Sequence, residues 1–363
     1  MKRNQNKDIF YTQLAFQQAE INLGSTNSNP SVGCIIVKDN SVISSGRTSE
    51  NGRPHAEINA LKNNLNYKNS DLYVTLEPCS HYGKTPPCIN TIIKKKIKRV
   101  IFSINDVDKR SQNKAQKNLK NKKILVSKYI KKDFAKIFYK SYFLQSLNQM
   151  PLIDAKLALS KDYFTINKKD KWITNRKSRN LGNFLRSKYD CLLTTSKTIN
   201  VDDPLLNCRI EGAEKKSPVL IILDRYLKIK KNIKIFNNNK RKIYIFTTVN
   251  NTSKENFLNR KGIKVIKFFK NNKKEFDLKK IFYTIKKFGY NRVFVETGST
   301  FLSQLLKFNL INNLYLFKSS KKLFSKGQNN SSLLHVKKVK TSMHNKVQVN
   351  LDGDSLYKVN YNV

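Results

Sequence analysis

One histidine and two cysteines of this sequence have the residue types of a zinc site. His55 and Cys79 each follow a proline, and Cys88 follows Pro87. Imidazole and thiolate groups are ligands that Zn²⁺ prefers, and three protein ligands leave one tetrahedral position open, as in catalytic rather than structural sites. The three residues therefore predict a zinc ion that activates a water molecule.

Glu57 is the residue that would transfer protons beside this metal. It lies two positions after His55, on the first turn of a helix that we expect to begin near Ala56. From there its carboxylate can take the proton of the water and pass it to a leaving amine without ligating the metal. His-x-Glu followed by Pro-Cys is the signature of zinc deaminases. The alternative is a pair of buried cysteines and a chance His-x-Glu, which the combined pattern disfavours.

Composition limits the class of protein. The 363 residues suffice for two domains with full cores. The sequence contains no apolar run of about 18 residues and no signal-peptide pattern, so we expect a soluble, cytoplasmic protein without a membrane partner. Cys34, Cys191 and Cys208 have no evident partners, which fits a reducing compartment.

The strong positive charge raises the question of a nucleic-acid partner. The net charge is +46, from 71 Lys and Arg against 25 Asp and Glu. However, the lysines are scattered along the chain among many Asn and Ile residues, which is typical of an AT-rich coding bias. Single-strand binders need stacking aromatics within a clustered basic stripe, and no such stripe is evident. We therefore expect a small-molecule partner, and the charge can help attract a phosphorylated one.

Alternating strand and helix patterns predict two α/β domains, 1–148 and 149–363, divided near Met150-Pro151. In the first domain we predict helices at 8–23, 88–96, 111–120 and 134–147, and strands at 31–37, 41–45, 71–76, 99–104 and 123–127. In the second we predict helices at 176–186, 278–288 and 300–308, and strands at 152–159, 191–195, 219–223, 242–247, 263–268, 292–296 and 314–317.

Two sets of motifs resemble the RibD family of bifunctional riboflavin biosynthesis enzymes. The first set resembles the deaminase half of that family: Asn29-Pro30-x-Val32-Gly33-Cys34, Gly52-x-Pro54-His55-Ala56-Glu57, and Thr75-Leu76-Glu77-Pro78-Cys79-Ser80-His81-x-Gly83-Lys84-Thr85-Pro86-Pro87-Cys88. The second set resembles the reductase half: Lys156-x-Ala158-x-Ser160-x-Asp162, Trp172-Ile173-Thr174, Leu185-Arg186, Thr198 with Asp202-Asp203-Pro204, and Glu296-x-Gly298. The motifs follow the family order over nearly the whole chain, so together they are far more specific than any one of them.

The resemblance implies a fold and a reaction for each half. The N-terminal half would be a cytidine-deaminase-like three-layer αβα domain, and the C-terminal half a dihydrofolate-reductase-like α/β domain. The first would use Zn²⁺ to remove hydrolytically the 2-amino group of 2,5-diamino-6-(5-phosphoribosylamino)pyrimidin-4(3H)-one. The second would use NADPH to reduce the ribosyl arm to a ribityl chain. We also expect a homo-oligomer.

The resemblance further assigns residues to each site. In the deaminase half it implies Glu57 for catalysis, His55, Cys79 and Cys88 for the metal, and Asn29, His81 and Lys84 for the substrate. In the reductase half it implies Arg186, Leu206, Arg209 and Glu296 for the substrate, and Ala158, Trp172, Thr198, Asp202, Gly298 and Ser299 for the cofactor. Arg186 and Arg209 would clamp the substrate phosphate with their planar donors, and Gly298 and Ser299 would open a helix that receives a cofactor phosphate. The alternatives are a surface loop residue for His81, a solvated helix face for Arg186 and plain core for Trp172.

Four residues depart from the family pattern: Thr48 replaces a His, Tyr163 and Thr297 stand at positions commonly held by Gly, and Asn175 follows the Trp-Ile-Thr motif. Most of these departures fall in the reductase half. Three alternatives therefore stay open: a deaminase whose second domain is a binding or scaffolding module, a nucleic-acid-editing deaminase, and a purely structural zinc site.

Overall fold

The chain divides into two compact units, Met1–Met150 and Pro151–Val363, in the computed structural model of the protein. The structure describes residues 2–170, 172–237, 241–268, 276–329, 343 and 345–361. Within these residues no helix is both long and apolar enough to cross a membrane.

The N-terminal unit alternates helices and strands along most of its length. Its helices are α1 (Lys2–Ile21), α2 (Ala56–Leu61), α3 (Cys88–Lys94), α4 (Lys114–Lys120), α5 (Lys132–Phe138) and α6 (Lys140–Ser146). Its strands are β1 (Gly33–Lys38), β2 (Ser41–Arg47), β3 (Asp71–Val74), β4 (Arg99–Phe102) and β5 (Leu125–Lys128). The predicted helix 134–147 is wrong in one respect, because the chain breaks there into α5 and α6 at Tyr139.

The five strands form one sheet in the order β2-β1-β3-β4-β5. β1 pairs antiparallel with β2 and β3, whereas β3, β4 and β5 are parallel. Successive side chains of a strand point to opposite faces, and the core follows that rule. On β1, Ile35 packs in one cluster with Tyr11 and Ala15 of α1, whereas Ile36 packs in another with residues of α2 and α3. The sheet is therefore covered on both faces, and the three-layer prediction is confirmed.

The C-terminal unit is a second α/β domain. Its strands are β6 (Leu152–Leu159), β7 (Ile166–Asn167), β8 (Cys191–Thr195), β9 (Val219–Leu223), β10 (Ile243–Thr247), β11 (Lys264–Lys267), β12 (Arg292–Glu296), β13 (Asn313–Lys318), β14 (Gly327–Gln328) and β15 (Ser355–Asn360). Its helices are α7 (Arg176–Arg186), α8 (Ser196–Asp202), α9 (Thr252–Arg260), α10 (Leu278–Lys287) and α11 (Ser299–Lys307). The sequence interpretation assigned no element to α8, α9, β7, β14 or β15.

Eight of these strands form one sheet in the order β11-β10-β9-β8-β12-β6-β13-β15. All neighbours pair in parallel except β13 and β15, which are antiparallel. The chain starts at β6, proceeds outward from β8 to β11, and returns to insert β12 between β8 and β6. In open parallel sheets a ligand binds at such a reversal, beyond the carboxyl ends of the strands. This places the end of β12, at Glu296, where a ligand is expected.

Gly33 allows the first helix to approach the sheet closely. A Cβ atom built at Gly33 would lie 1.9 Å from the Ala15 carbonyl oxygen and 2.7 Å from the Ala19 amide nitrogen. Both atoms belong to the backbone of α1, which cannot move aside like a flexible side chain. By contrast, a Cβ at Gly182, inside α7, meets nothing within 4 Å.

We predict that Gly33→Ala destabilises the protein by at least about 2 kcal/mol, because α1 must shift away from β1. Gly182→Ala is the control, and we expect it to be neutral or stabilising by up to about 1 kcal/mol, since alanine lowers the entropy cost of forming a helix. Urea unfolding followed by circular dichroism measures both. Equal midpoints for Gly33→Ala and the unmodified chain would contradict the packing described for α1.

Candidate active sites in the two units

The three predicted metal ligands converge in the N-terminal unit. The ligand atoms of His55, Cys79 and Cys88 all lie within 4.8 Å of one another. The Nδ1 atom of His55 is 3.6 Å from the Cys79 sulfur and 3.4 Å from the Cys88 sulfur. A tetrahedral zinc ion with ordinary Zn–S and Zn–N bonds holds such nitrogen and sulfur atoms about 3.5 Å apart. The donor set and its spacing therefore fit Zn²⁺.

Two short helices and a strand end position these ligands. His55 directly precedes α2, Cys88 is the first residue of α3, and Cys79 follows β3 by five positions. The backbone N–H of Cys88 donates to the Cys79 sulfur at 3.2 Å. Hydrogen bonds with Cys88 and His55, which outweigh the effect of burial, lower the pKa of Cys79 to about 4. Cys79 is thus a thiolate, the form that binds a metal.

Glu57 is buried beside the ligands, with only 4% of its surface exposed. It lies on the first turn of α2 and interacts with the thiol of Cys88. Burial, together with the negative charge of Cys79, raises the pKa of Glu57 to about 7. A carboxyl group with such a pKa can both accept and return a proton near neutral pH.

The buried carboxylate of Glu77 fixes the loop that contacts His81. Glu77 accepts hydrogen bonds from the backbone N–H groups of Asp106 (3.0 Å), Asn113 (3.1 Å) and Ala115 (3.1 Å). The loop so held carries Ser111, whose hydroxyl lies 2.6 Å from Nδ1 of His81 and accepts from the N–H of Ser80 at 3.2 Å. His81 is therefore oriented rather than loose. The sequence interpretation missed Ser111, which lies 30 positions away from His81.

The other two predicted substrate residues, Asn29 and Lys84, are linked to the segment that precedes His55, Asn29 by a hydrogen bond and Lys84 through its neighbour Thr85. Asn29 donates from its side chain to the Gly52 carbonyl at 2.8 Å, which fixes it next to the segment that precedes His55. Arg53, a residue that the sequence interpretation did not single out, has Nη1 2.7 Å from the Thr85 hydroxyl and 3.3 Å from Nε2 of His55. Lys84, beside Thr85, is exposed.

Thr48, the first departure from the family pattern, has a structural role. Its hydroxyl accepts from the N–H of Val32 at 2.9 Å, and its carbonyl accepts from the Asn22 side chain at 2.9 Å. Thr48 is 1% exposed and closes the loop that carries Asn29. A buried hydroxyl with a backbone partner thus occupies the position of the missing imidazole.

In the C-terminal unit, Arg186 and Glu296 form a buried ion pair. Nε of Arg186 is 2.5 Å from one carboxylate oxygen of Glu296, and Nη2 is 2.9 Å from the other. Nη1 of Arg186 donates to the Asn183 side chain at 2.9 Å and to the Asn207 carbonyl at 3.0 Å. Each side chain is 11% exposed, so Arg186 is not on a solvated helix face. Its role as a phosphate clamp stays a prediction.

Further charged groups surround this pair. Burial alone would raise the pKa of Glu296, but Arg186, with smaller effects of Lys156 and Arg209, lowers it below its ordinary value. Burial lowers the pKa of Lys156, which lies on β6 and also interacts with Asp202. Arg209 is exposed, and its Nη2 lies 3.5 Å from the Asn183 side chain. Lys156 was part of a recognised motif but was not assigned a role.

The helix that follows Glu296 begins with unsatisfied polar groups. Gly298 directly precedes α11, no side chain caps that helix, and a Cβ at Gly298 would meet nothing within 4 Å. Among the described residues, the hydroxyls of Thr297 and Ser299 are buried without a hydrogen-bond partner. Backbone N–H groups and hydroxyls at the start of a helix are suited to an anionic group such as a cofactor phosphate.

The remaining predicted cofactor residues lie on different elements of this unit. Ala158 is on β6 beside Phe317 of β13. Thr198 is on α8, and its N–H donates to the capping hydroxyl of Thr195 at 3.3 Å. Trp172 is 46% exposed and lies under the Arg179 guanidinium at 4.6 Å, so the alternative interpretation of Trp172 as core is wrong.

The other departures are also accommodated by the fold. Tyr163 adopts the left-handed backbone region at φ 71°, which explains why glycine suits that position, and its hydroxyl accepts from Lys318 at 2.9 Å. Asn175 caps α7 by accepting from the N–H of Ser178 at 2.9 Å.

Leu206, one of the predicted substrate residues, also has a positive φ, of 51°, and is buried with 5% of its surface exposed.

Comparisons with known proteins identify a related family for each unit. Residues 5–104 match the cytidine and deoxycytidylate deaminase zinc-binding region, and residues 153–341 match the RibD C-terminal domain. The chain is 33% identical to the riboflavin biosynthesis protein RibD of Aquifex aeolicus over 85% of this chain and 86% of that protein, and 34% identical to that of Buchnera aphidicola over 86% of each. The solved structure of Acinetobacter baumannii RibD superposes with a TM-score of 0.80 at 26% identity, covering 99% of this chain and 100% of the other.

We predict that the chain binds one zinc ion and that Cys79→Ser weakens its zinc affinity by at least about a hundredfold, because a hydroxyl replaces a thiolate ligand. Cys191→Ala is the control, since Cys191 is buried in β8 of the other unit. Metal analysis after dialysis against a chelator measures the bound zinc. Equal zinc retention by both variants would contradict the assigned ligand set.

Proposed function

The chain belongs to the RibD family, and from this we propose a two-step enzyme of riboflavin biosynthesis. The N-terminal unit hydrolytically deaminates 2,5-diamino-6-(5-phosphoribosylamino)pyrimidin-4(3H)-one and releases ammonia. The C-terminal unit then reduces the ribosyl arm of the product to a ribityl chain with NADPH. The observation that carries the proposal is the convergence of His55, Cys79 and Cys88 beside the buried carboxyl group of Glu57.

In the deamination step, Glu57 moves the protons. When bound by the three ligands, Zn²⁺ supplies the Lewis acidity that makes water nucleophilic near neutral pH. Glu57 accepts the proton of the attacking water and delivers it to the departing amino group, so that ammonia leaves. Its burial excludes competing solvent protons, and its raised pKa suits a group that alternates between base and acid.

Three side chains of the same unit hold the substrate. Asn29, His81 and Lys84 together bind its pyrimidine ring and phosphate arm. Hydrogen bonds from Asn29 to Gly52 and between His81 and Ser111 support this role, because ring-binding groups that are already oriented lose little entropy on binding.

In the reduction step, the cofactor supplies the hydride and the protein supplies orientation and charge. Glu296 contacts the substrate, and Arg186 keeps this carboxylate ionised and fixed in orientation. Arg209 binds the substrate phosphate, Arg186 contributes positive charge to the same site, and Leu206 contacts the substrate. The bidentate geometry between Arg186 and Glu296 supports this division of roles.

The cofactor lies along the carboxyl ends of β6, β8 and β12. Gly298 and Ser299 receive a phosphate group of NADPH at the start of α11, and the buried free hydroxyl of Ser299 supports this. The other cofactor contacts are those expected from the family motifs: Ala158, Trp172, Thr198 and Asp202. The free cysteines and the thiolate ligand also favour a reducing, cytoplasmic location. Homo-oligomerisation stays a prediction.

The proposed function is tested by supplying the diaminopyrimidinone phosphate together with NADPH. We expect ammonia release and loss of the NADPH absorbance in equal amounts. Glu57→Gln should reduce ammonia release about 10²-fold to 10⁴-fold, because the proton carrier is lost. The same variant should keep its zinc and still oxidise NADPH when it is given the deaminated intermediate.

Other results of this experiment discriminate between the alternatives. Ammonia release without any NADPH oxidation would favour a deaminase with a scaffolding second domain. Unchanged ammonia release by Glu57→Gln would contradict the role of this carboxylate, and the absence of ammonia release by the unmodified enzyme would favour a structural zinc site.

We expect no specific partnership with nucleic acid despite the net charge of +46. Binding of single-stranded RNA that rests on scattered lysines is electrostatic and should vanish as salt rises to about 0.2 M. Fluorescence anisotropy with labelled RNA measures it at several salt concentrations. Salt-resistant binding that competes with the pyrimidine substrate would instead indicate a nucleic-acid-editing deaminase.

A further inference from the structure

Arg241 is a charged residue of the C-terminal unit for which the proposed reaction has no use. Its guanidinium donates to the carbonyl oxygens of Leu205 (2.6 Å), Leu206 (2.7 Å) and Pro218 (3.2 Å). All three acceptors are backbone groups, and no carboxylate of the described residues forms an ion pair with Arg241. Among the described residues, the hydrogen bonds of this half-buried cation therefore go to neutral carbonyls, which compensate its burial less than a paired carboxylate does.

The carbonyls belong to the segment that carries two predicted substrate residues, Leu206 and Arg209. Leu206 has a φ of 51°, a left-handed backbone conformation that is strained for a residue with a side chain. The next carbonyl, that of Asn207, accepts from Arg186 at 3.0 Å. Arg241 and Arg186 together thus donate to the carbonyls of three consecutive residues, 205–207, and Arg186 also forms the ion pair with Glu296.

Positive charge exceeds negative charge around Glu296, even when Asp202, which interacts with Lys156, is included. Lys156, Arg186, Arg209 and Arg241 each interact electrostatically with this carboxylate. Burial and the charge of Arg186 lower the pKa of Arg241, so the neighbouring cations oppose one another. Binding of a dianion such as a phosphate monoester neutralises such an excess of positive charge. The donors of Arg186 are engaged by Glu296, Asn183 and Asn207, which leaves Arg209 as the direct ligand.

We propose that Arg241 is a positioning residue for the phosphate of the reductase substrate. It fixes the backbone of residues 205–206 so that the following Arg209 faces the phosphate, and it adds positive charge behind that site. This inference rests on the proposed function of the C-terminal unit. Arg241 does not touch the reacting atoms, so its effect should appear in substrate binding rather than in the chemical step.

The test uses the full-length enzyme with Arg241→Met, which removes the charge and the donors, and Arg241→Lys, which keeps only the charge. We expect Arg241→Met to raise the reductase KM for the phosphorylated intermediate about tenfold to a hundredfold, with a smaller change in kcat. Arg241→Lys should lie between this variant and the unmodified enzyme. The KM for NADPH and the rate of ammonia release should remain near their original values.

Two further measurements separate positioning from general stability. Inorganic phosphate should inhibit the reductase competitively, and its inhibition constant should rise in Arg241→Met. With the dephosphorylated intermediate, the KM difference between Arg241→Met and the unmodified enzyme should shrink. The control is Arg260→Met, which removes an exposed arginine at the end of α9 and should change neither quantity.

Several results would overturn the inference. One is a folded Arg241→Met enzyme with unaltered substrate KM and phosphate inhibition. Another is an equal loss of affinity for NADPH and substrate, which would make Arg241 merely a structural residue. If Arg241→Met fails to fold by circular dichroism, Arg241→Lys carries the same test. Failure of the unmodified enzyme to oxidise NADPH with the intermediate would instead contradict the proposed function itself.

Discussion

Two anionic groups, the Cys79 thiolate and the Glu57 carboxyl group, share a small buried volume in the N-terminal unit. Burial of Glu57, followed by its repulsion by the Cys79 thiolate, raises the pKa of Glu57 to about 7, while hydrogen bonds lower the pKa of Cys79 to about 4. Such an arrangement is unfavourable unless a cation joins it. A zinc ion held by His55, Cys79 and Cys88 would supply the counterion for this concentration of negative charge, and the elements around it bring three separate chain segments to one point. The placement of His55 and Cys88 at helix starts meets this requirement.

In the C-terminal unit the electrostatic environment of the buried carboxylate is the opposite. Its buried carboxylate, Glu296, lies among basic side chains, so the pKa of Glu296 falls although burial alone would raise it. One carboxylate is thus prepared to exchange protons and the other to remain ionised. The difference comes from the neighbours of each carboxylate and not from the residue type. A site with excess positive charge suits a phosphorylated substrate, and a site with excess negative charge suits a metal.

Much of this could be predicted from the sequence because the decisive signals are local. Strands β6, β8, β9 and β12 and helix α7 have the predicted bounds, since each has a continuous apolar run or a clear periodicity between turn residues. Helices α8 and α9 each bury a single residue, Ile199 and Leu258, and so lack an apolar stripe. Their signal was the capping residue, Thr195 or Asn251, that precedes each one. The break at Tyr139 is a tertiary effect, because the Tyr139 hydroxyl is 2.5 Å from that of Thr75.

The groups that could not be predicted are those that act on a site from a distant part of the chain. Ser111 contacts His81, and Arg241 contacts Leu205 and Leu206, across about 30 and 36 positions respectively. No spacing rule links such residues, because the distance between them is set by the order of strands in the sheet. Arg241 lies just before β10, which is separated from β12 by the two strands β9 and β8, so its position depends on how the chain returns through the sheet. A sequence motif identifies the residues that contact a ligand. The backbone of those residues is held in place by polar side chains from distant positions in the chain, and only the folded structure shows that these are close.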